Sequence, residues 1–205
     1  MSNVATLKNP LAVLQPEKKR KLFTLQEYLR LEEKSDELHE YYDGIIIKLP
    51  MARGPHNIIT ANVISAINFF IIQENQPFLV FGSQQKVYLP ELNYGVYPDA
   101  LAVSEKPIYF EGNDLLLINP ILIIEVLSKS TSKYNRTGKF EEYKTLESFR
   151  EYVLIDHKKN RVETHFREEH DLWREKKYTD LNDDVILKSI GCSISMKMIY
   201  RNIEV

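Results

Sequence analysis

Apolar residues recur along residues 57–75 at steps of three and four, and this spacing predicts a long helix with a broad buried face. The pattern is formed by Ile58, Ile59, Val63, Ile64, Ile67, Phe70 and Ile71. Shorter apolar runs of strand character follow at 78–81, 84–89, 96–103 and 120–127. The last run shows no polar alternation, which is typical of a strand covered on both faces. With a helix over 138–147 and a strand at 151–156, the predicted core order is helix, three strands, helix, strand.

The flanking segments carry their own local patterns. Thr24 with Glu27 is a capping box, which predicts a short helix from Leu25 to Glu33. Asp43-Gly44 between two strand-like runs predicts a hairpin. Residues 1–22 show no periodicity and are predicted to be an irregular arm, while 161–167, 172–178 and 185–188 predict an antiparallel ribbon before a helix near 194–201. We therefore predict one α/β (α+β) domain over 23–205, with a mixed sheet flanked by helices, an N-terminal helix and hairpin, and a C-terminal antiparallel extension.

Composition narrows the class of protein. The 205 residues are 43% hydrophobic and 27% charged, as in an ordinary globular protein, so disorder along the whole chain is excluded. The single cysteine, Cys192, cannot form an internal disulfide. The first 16 residues lack the pattern of a secretory signal, and no apolar run approaches the roughly 20 residues that span a bilayer. We expect a cytoplasmic protein with no membrane segment.

The formal net charge of −2 excludes a strongly basic nucleic-acid coat. Contact with nucleic acid would have to be local. Residues 129–144 form one basic segment, in which Lys129, Lys133, Arg136, Lys139 and Lys144 outnumber Glu141 and Glu142. The run 18–21 is also basic, but a charge run near a terminus is usually a solvated tail.

The main candidate for chemistry is Glu125, which interrupts an otherwise aliphatic run at 121–127. A buried carboxylate costs several kcal/mol unless it is paired, protonated or bound to a metal. Asp99 opens the preceding apolar run, and carboxylates on neighbouring strands make a hard-oxygen site of the kind that holds Mg²⁺. Two alternatives stay open: Asp99 as a surface residue or turn cap, and Glu125 as half of a buried ion pair.

Several motifs together resemble a known family. They are Phe23 to Leu29, His39 to Gly44, Pro55-His56-Asn57, Tyr97-Pro98-Asp99, Asn119 to Ser128, Lys139 to Tyr143 and Glu151 to Asp156. In this order and spacing the chain resembles the Uma2 (DUF820) family of restriction-endonuclease-like proteins, within the PD-(D/E)XK nuclease superfamily. The resemblance implies a restriction-endonuclease-like core of order αβββαβ and a phosphodiesterase site that uses Mg²⁺ or Mn²⁺.

The resemblance also implies roles for particular residues. Asp99 and Glu125 match the metal ligands, and Glu40 matches a recurrent glutamate that is either a third ligand or a partner for a backbone group. The superfamily's lysine two residues after the glutamate is absent, because Leu127 stands there. Relatives carry a lysine in the following helix, and Lys139 matches it. The alternative for Lys139 is an ordinary surface lysine.

Other polar residues near these motifs are less specific. Asn135 stands where many relatives have aspartate. His56 can bind a phosphate, donate to a carboxylate or cap the long helix, and Lys133 and Arg136 are candidate substrate contacts. Gln84, Gln85 and Lys86 are predicted to lie at the surface or at a sheet edge.

We predict a metal-dependent DNA endonuclease with Asp99, Glu125 and Lys139 as its catalytic residues. The alternative is a protein that keeps the fold for nucleic-acid binding or assembly without turnover. A homodimer or higher homo-oligomer is expected, because two sites related by a two-fold axis can cut both strands of a duplex.

Overall fold

The computed structural model describes residues 21–128 and 132–204. Residues 1–20, which are most of the predicted irregular arm, lie outside this range, and so does Lys129. The five helices of the described ranges are α1 (Leu25–Glu32), α2 (Gly54–Gln73), α3 (Ser132–Arg136), α4 (Gly138–Tyr143) and α5 (Met196–Ile199). Their strands are β1 (His39–Tyr42), β2 (Ile45–Lys48), β3 (Phe78–Gly82), β4 (Val87–Leu89), β5 (Tyr94–Val96), β6 (Ala100–Ser104), β7 (Leu122–Leu127), β8 (Glu151–Asp156), β9 (Arg161–Glu169), β10 (Leu172–Tyr178), β11 (Asp184–Leu187) and β12 (Cys192–Ser195).

The strands form three sheets. The largest has six strands in the order β10-β9-β8-β7-β6-β3, and its β7–β8 pair is parallel while its other pairs are antiparallel. A parallel pair needs a crossover connection, and here the crossover carries α3 and α4. A second sheet has the order β2-β1-β5-β4, and β11 pairs with β12 in a third.

Successive residues of β7 point to opposite sides of the large sheet, so the strand divides the core in two. Ile124 and Val126 pack with α2, α5 and the β11–β12 hairpin in an apolar core. Ile123 and Leu127 pack on the other side with α4 and the four-stranded sheet. Glu125 has the parity of this second group and therefore lies on the face that we call the site face.

Helix α2 packs on the opposite face through Ile59, Val63 and Ile67. Its 20 residues include no Asp, Glu, Lys or Arg, and by length and composition alone it could cross a bilayer. The expectation that no apolar run approaches that length is therefore amended for α2. One such helix is weak evidence for a membrane protein, since the core helix of a soluble protein passes the same test.

Local predictions at the N-terminal end are confirmed. In α1, the Thr24 side chain accepts from the backbone N–H of Glu27, whose carboxylate accepts from the backbone N–H of Thr24, which completes the capping box. The hairpin turns at Asp43 and Gly44, both with positive φ, as a two-residue primed turn requires.

Four predicted elements were wrong in detail. The strand predicted over 96–103 is split, because Tyr97-Pro98-Asp99 passes between the two sheets and Pro98 has no N–H for a ladder. The helix predicted over 138–147 ends at Tyr143. Most of the segment 185–188 belongs to β11, which pairs with β12 in a separate two-stranded sheet. Because β12 includes the first residues of the helix predicted near 194–201, that helix is shortened to α5.

Candidate active site

The two predicted acidic residues meet because β6 and β7 are antiparallel neighbours. Ala100 lies opposite Ile124, so Asp99, one residue earlier, lies opposite Glu125. The Asp99 carboxylate accepts the backbone N–H of Val126 at Oδ2, with a nitrogen–oxygen distance of 2.6 Å. Asp99 is thereby fixed against the backbone that carries Glu125.

Glu125 is buried on the site face, and the crossover between β7 and β8 supplies its polar partners. Lys139 Nζ lies 2.8 Å from Oε1, and the hydroxyl of Tyr143 donates to the same oxygen at 3.1 Å. The amide of Asn135 donates to Oε2 at 3.3 Å. Lys139 and Tyr143 act together because residues four apart share a helix face. The buried-ion-pair interpretation of Glu125 is thus present in the geometry.

Lys139 is buried, not at the surface, and its ammonium lies among three oxygen atoms. Besides Glu125, Nζ donates to the backbone carbonyl of Tyr97 at 3.1 Å and lies 3.3 Å from Glu40 Oε1. Burial alone would lower the pKa of Lys139, but the charges of Glu125 and Glu40 outweigh burial and raise this pKa well above its ordinary value. Lys139 is therefore a permanent cation of the site.

Glu40, on β1, connects the four-stranded sheet to the site. Its Oε1 accepts the backbone N–H of Tyr97 at 3.1 Å, and its Oε2 accepts the hydroxyl of Tyr42 at 2.7 Å. The structure therefore places Glu40 both on a backbone group and on Lys139.

His56 lies in the first turn of α2, where it reaches Asp99. Its Nε2 is 3.2 Å from Asp99 Oδ2, and its Nδ1 is buried with no hydrogen-bond partner among the described residues. Burial lowers the pKa of His56, but the hydrogen bond to Asp99 and the charges of Asp99 and Glu125 outweigh burial, so the pKa is raised. Of its three predicted roles, donation to a carboxylate matches this geometry.

Negative charge exceeds fixed positive charge at this site. Glu40 and Glu125 contact the ammonium of Lys139, and Asp99 adds a third carboxylate beside Glu125, with the imidazole of His56 as its partner. Burial raises the pKa of Glu125 to about 7; Lys139 opposes this shift, while the charges of Asp99 and Glu40 add to it. A further cation would relieve this repulsion.

The donor set fits a divalent cation that prefers oxygen. Each carboxylate oxygen can accept about two hydrogen bonds. Glu125 Oε1 and Asp99 Oδ2 each have two partners, whereas Glu125 Oε2 has one and no described residue bonds to Asp99 Oδ1. One oxygen on each carboxylate therefore keeps capacity for a hard cation such as Mg²⁺.

The two other predicted substrate contacts lie outside this cluster. Lys133 is exposed on α3. Arg136 pairs with Glu163 on β9, and Arg161 Nε lies 2.5 Å from the other oxygen of the same carboxylate. Arg136 therefore links α3 to the sheet, and its role as a substrate contact stays a prediction.

Within the described residues, one group of three side chains meets a distance criterion for holding a metal: Glu163, His165 and Glu175. Sequence analysis missed this group, because antiparallel pairing of β9 with β10 brings its members together. Arg136 and Arg161 already balance Glu163. These guanidinium groups would compete with a metal for Glu163, as Lys139 would for Glu125.

Sequence analysis also missed a tyrosine network beside Glu40. The hydroxyl of Tyr134 donates to Glu142 at 2.6 Å and lies 3.4 Å from the hydroxyl of Tyr42. Burial raises the pKa of Glu142 to about 7, against the opposing effects of Tyr134 and Lys139. Nothing in the spacing of these tyrosines along the chain predicts these bonds.

Comparison with known proteins places this geometry in a family. The model of the Uma2 family, described as "Putative restriction endonuclease", matches residues 25–198. The chain belongs to the Uma2 family. Two cyanobacterial relatives from Synechocystis sp. are both named only as uncharacterized proteins. The protein sll1609 is 33% identical over 70% of this chain and 80% of its own length, and slr1290 is 28% identical over 87% and 91%.

A solved structure supports the Uma2 fold. The crystal structure of a putative nuclease belonging to DUF820 from Anabaena variabilis has a TM-score of 0.68 to this chain at 22% identity, covering 86% of this chain and 97% of that one. The predicted family and the restriction-endonuclease-like α+β fold are therefore confirmed. Membership makes the chain a nuclease-family protein, and its metal, its substrate and the roles of individual residues are matters of proposal.

Proposed function

We propose that this Uma2 protein is an endonuclease that hydrolyses phosphodiester bonds of DNA with Mg²⁺ or Mn²⁺. The observation that carries the proposal is the convergence of Asp99 and Glu125 from adjacent strands beside the ammonium of Lys139. The excess negative charge and the carboxylate oxygens with remaining capacity support a divalent cation as the missing partner.

Asp99 and Glu125 would hold the metal, which when bound polarises a phosphate and lowers the pKa of a water molecule. Lys139 keeps a positive charge beside Glu125, where it stabilises negative charge that develops on a scissile phosphate. In this proposal Glu40 positions Lys139, and its Oε2, with the hydroxyl of Tyr42 as its one partner, has the same remaining capacity as Glu125 Oε2, so Glu40 stays a candidate third ligand. His56 fixes the orientation of Asp99.

The test is cleavage of plasmid and single-stranded DNA by purified protein with Mg²⁺, Mn²⁺ or excess chelator. Asp99→Asn and Glu125→Gln remove charge at nearly constant shape, and both are expected to lower the cleavage rate by roughly 1,000-fold or more, as losses of groups that act on the reacting phosphate do. Asp171→Asn is the matched control, because its carboxylate is 95% exposed. Equal cutting by all four proteins, or cutting that survives the chelator, contradicts the proposal.

The second candidate is a nucleic-acid-binding protein without turnover. The observation that favours it is that Lys139 already neutralises Glu125, while Leu127 replaces the usual strand lysine. Binding that weakens steeply with salt, together with no cleavage in either metal, would support this candidate over the nuclease.

We also propose that the protein is a homodimer, since a two-fold pair of sites suits cleavage of both strands. Phe69 and Ile72 expose much of their apolar surface on α2 and make this helix a plausible contact. Sedimentation equilibrium over a range of concentrations would measure the assembly state, and a monomer at all concentrations contradicts this part.

A further inference from the structure

Lys86 is fully buried, with 1% of its surface exposed, so the prediction that it lies at the surface was wrong, although the strand that follows it, β4, is the edge strand of its sheet. It immediately precedes β4, and the Val87–Val96 pair of the β4–β5 ladder places it beside Tyr97. Gly95 makes room for its stem, because a Cβ atom at Gly95 would lie 3.2 Å from Lys86 Cδ. The burial of Lys86 could not be predicted from its neighbours in the chain, because a lysine before a short strand is usually solvated.

The ammonium of Lys86 has an aromatic environment. Nζ lies 4.3 Å from the ring centre of Tyr28 and 5.2 Å from that of Tyr97, and no hydrogen-bond acceptor reaches it among the described residues. Aromatic faces attract a cation, and the attraction grows when the cation is desolvated. The charge of Glu32 provides a second stabilisation, since burial lowers the pKa of Lys86 to about 8 while Glu32 opposes that shift.

Tyr97 connects Lys86 to the proposed active site. Its side chain faces Lys86, and its hydroxyl donates to Glu32 at 2.7 Å. Its backbone faces the other way, with the N–H on Glu40 and the carbonyl on Lys139 Nζ, each at 3.1 Å. A shift of the Tyr97 ring would therefore move two backbone groups that hold Lys139 and Glu40, and Asp99 follows only two residues later.

We propose that Lys86 is a positioning residue of the active site, which clamps the ring of Tyr97 so that its backbone holds Glu40 and Lys139 in register with Glu125. This inference rests on the proposed function and extends it. Lys86 itself does not touch the reacting atoms, because it is buried behind Tyr97. Its effect on the chemistry runs through the backbone N–H and the backbone carbonyl of Tyr97.

The first test compares Lys86→Met, which keeps the stem and removes the charge, with the wild type in steady-state cleavage of DNA. We expect kcat to fall roughly 10- to 100-fold, the effect of small misplacement of a catalytic group, while KM stays within about twofold. Lys176→Met is the matched control, because Lys176 Nζ also lies over a tyrosine ring, at 4.4 Å from the centre of Tyr178, but is exposed and lies away from the site. An unchanged kcat in a folded Lys86→Met protein overturns the inference.

The second test does not depend on cleavage. Thermal unfolding is measured in a double-mutant cycle that consists of Lys86→Met, Glu40→Gln and the variant with both changes. A control cycle uses Glu151→Gln in place of Glu40→Gln. Glu151 is an equally buried carboxylate whose hydrogen bonds go to Ser189 and the backbone of Lys188. We expect the Tm shifts to be non-additive with Glu40 and additive with Glu151, since coupling is confined to one network.

The two tests separate the two proposals. If no protein cuts DNA but the Glu40 cycle is non-additive, the nuclease proposal fails and the clamp on Tyr97 stands. Additive shifts in both cycles overturn the clamp whatever the activity. If Lys86→Met does not fold, Lys86→Gln replaces it in both assays, because it also removes the charge over the Tyr97 ring, and the same outcomes decide.

Discussion

The two faces of the six-stranded sheet are built on different principles, although one strand serves both. The face under α2 is an apolar core in which Ile124 and Val126 of β7 pack against helices and a hairpin. The site face carries Glu125 and Lys139 among tyrosines that are themselves hydrogen-bonded. The first face can stabilise the fold through apolar burial alone. The second places charges where they cost stability, which is the usual price of a functional site.

Among substitutions that test this contrast between the two faces, Lys139→Met should have the largest effect. Removing the ammonium leaves Glu125 and Glu40 buried without their cation, and breaking a buried pair in this way costs about 3–5 kcal/mol. Denaturant unfolding measures the loss of stability. Adding Glu125→Gln to Lys139→Met is expected to recover part of it, and strictly additive effects would contradict a buried pair.

Truncation of a side chain on the opposite face of the sheet should lower the free energy of unfolding without changing the cleavage rate. Ile67 is fully buried in the apolar core, and Ile67→Ala is expected to cost about 2–5 kcal/mol through lost burial and a cavity. Cleavage per folded molecule should stay at the wild-type level, measured at a temperature where both proteins are folded. A large fall in kcat would show that the two faces are not independent.

The pH dependence of the free energy of unfolding measures how much the buried charge of Lys86 destabilises the fold. Its pKa is lowered to about 8 in the folded protein by burial, against the opposing charge of Glu32, while an unfolded lysine titrates near 10.5. Between these values the unfolded state binds more protons, so stability rises with pH across this window. The free energy of unfolding of the wild type, relative to Lys86→Met, should increase by up to about 3 kcal/mol from pH 7 to pH 10.5. A flat difference across that range would contradict the buried, charged lysine.

The smallest effect concerns α1, which supplies Tyr28 to the aromatic environment of Lys86. Thr24→Ala removes the N-terminal cap and should cost about 1 kcal/mol. Gln26→Ala, at an exposed position of the same helix, is the control and should cost less. Chemical denaturation of both variants gives the comparison, and equal losses would show that the cap contributes nothing.

Elements with a local cause were predictable from the sequence. The capping box of Thr24 and Glu27, the turn at Asp43-Gly44 and the run around Glu125 each depend on neighbouring residues. What could not be predicted depends on which strands pair. The break at Pro98 occurs where the chain passes from one sheet to another. The burial of Lys86 requires the small size of Gly95, which lies on the next strand, β5.

The residues of the candidate site likewise divide into those that could be predicted from the sequence and those whose contacts depend on strand pairing. Asp99 and Glu125 were predicted from their positions in apolar runs, and Lys139 and Glu40 from the resemblance. The structure brings all four together, but their roles remain predictions. Arg136 showed the limit of the approach, since its partner Glu163 comes from a strand 27 positions later. Charge and spacing alone cannot distinguish an arginine that meets a substrate from one that anchors a helix.

The crossover between β7 and β8 has a consequence for how this protein folds. Asn135 and Tyr143 reach Glu125 from separations of only 10 and 18 residues, whereas the Tyr97–Glu40 contact spans 57. Short loops close at lower entropic cost than long ones. The half of the site around Glu125 can therefore assemble early as a local unit, and docking of the β1–β2 hairpin then becomes the late step that completes the carboxylate cluster.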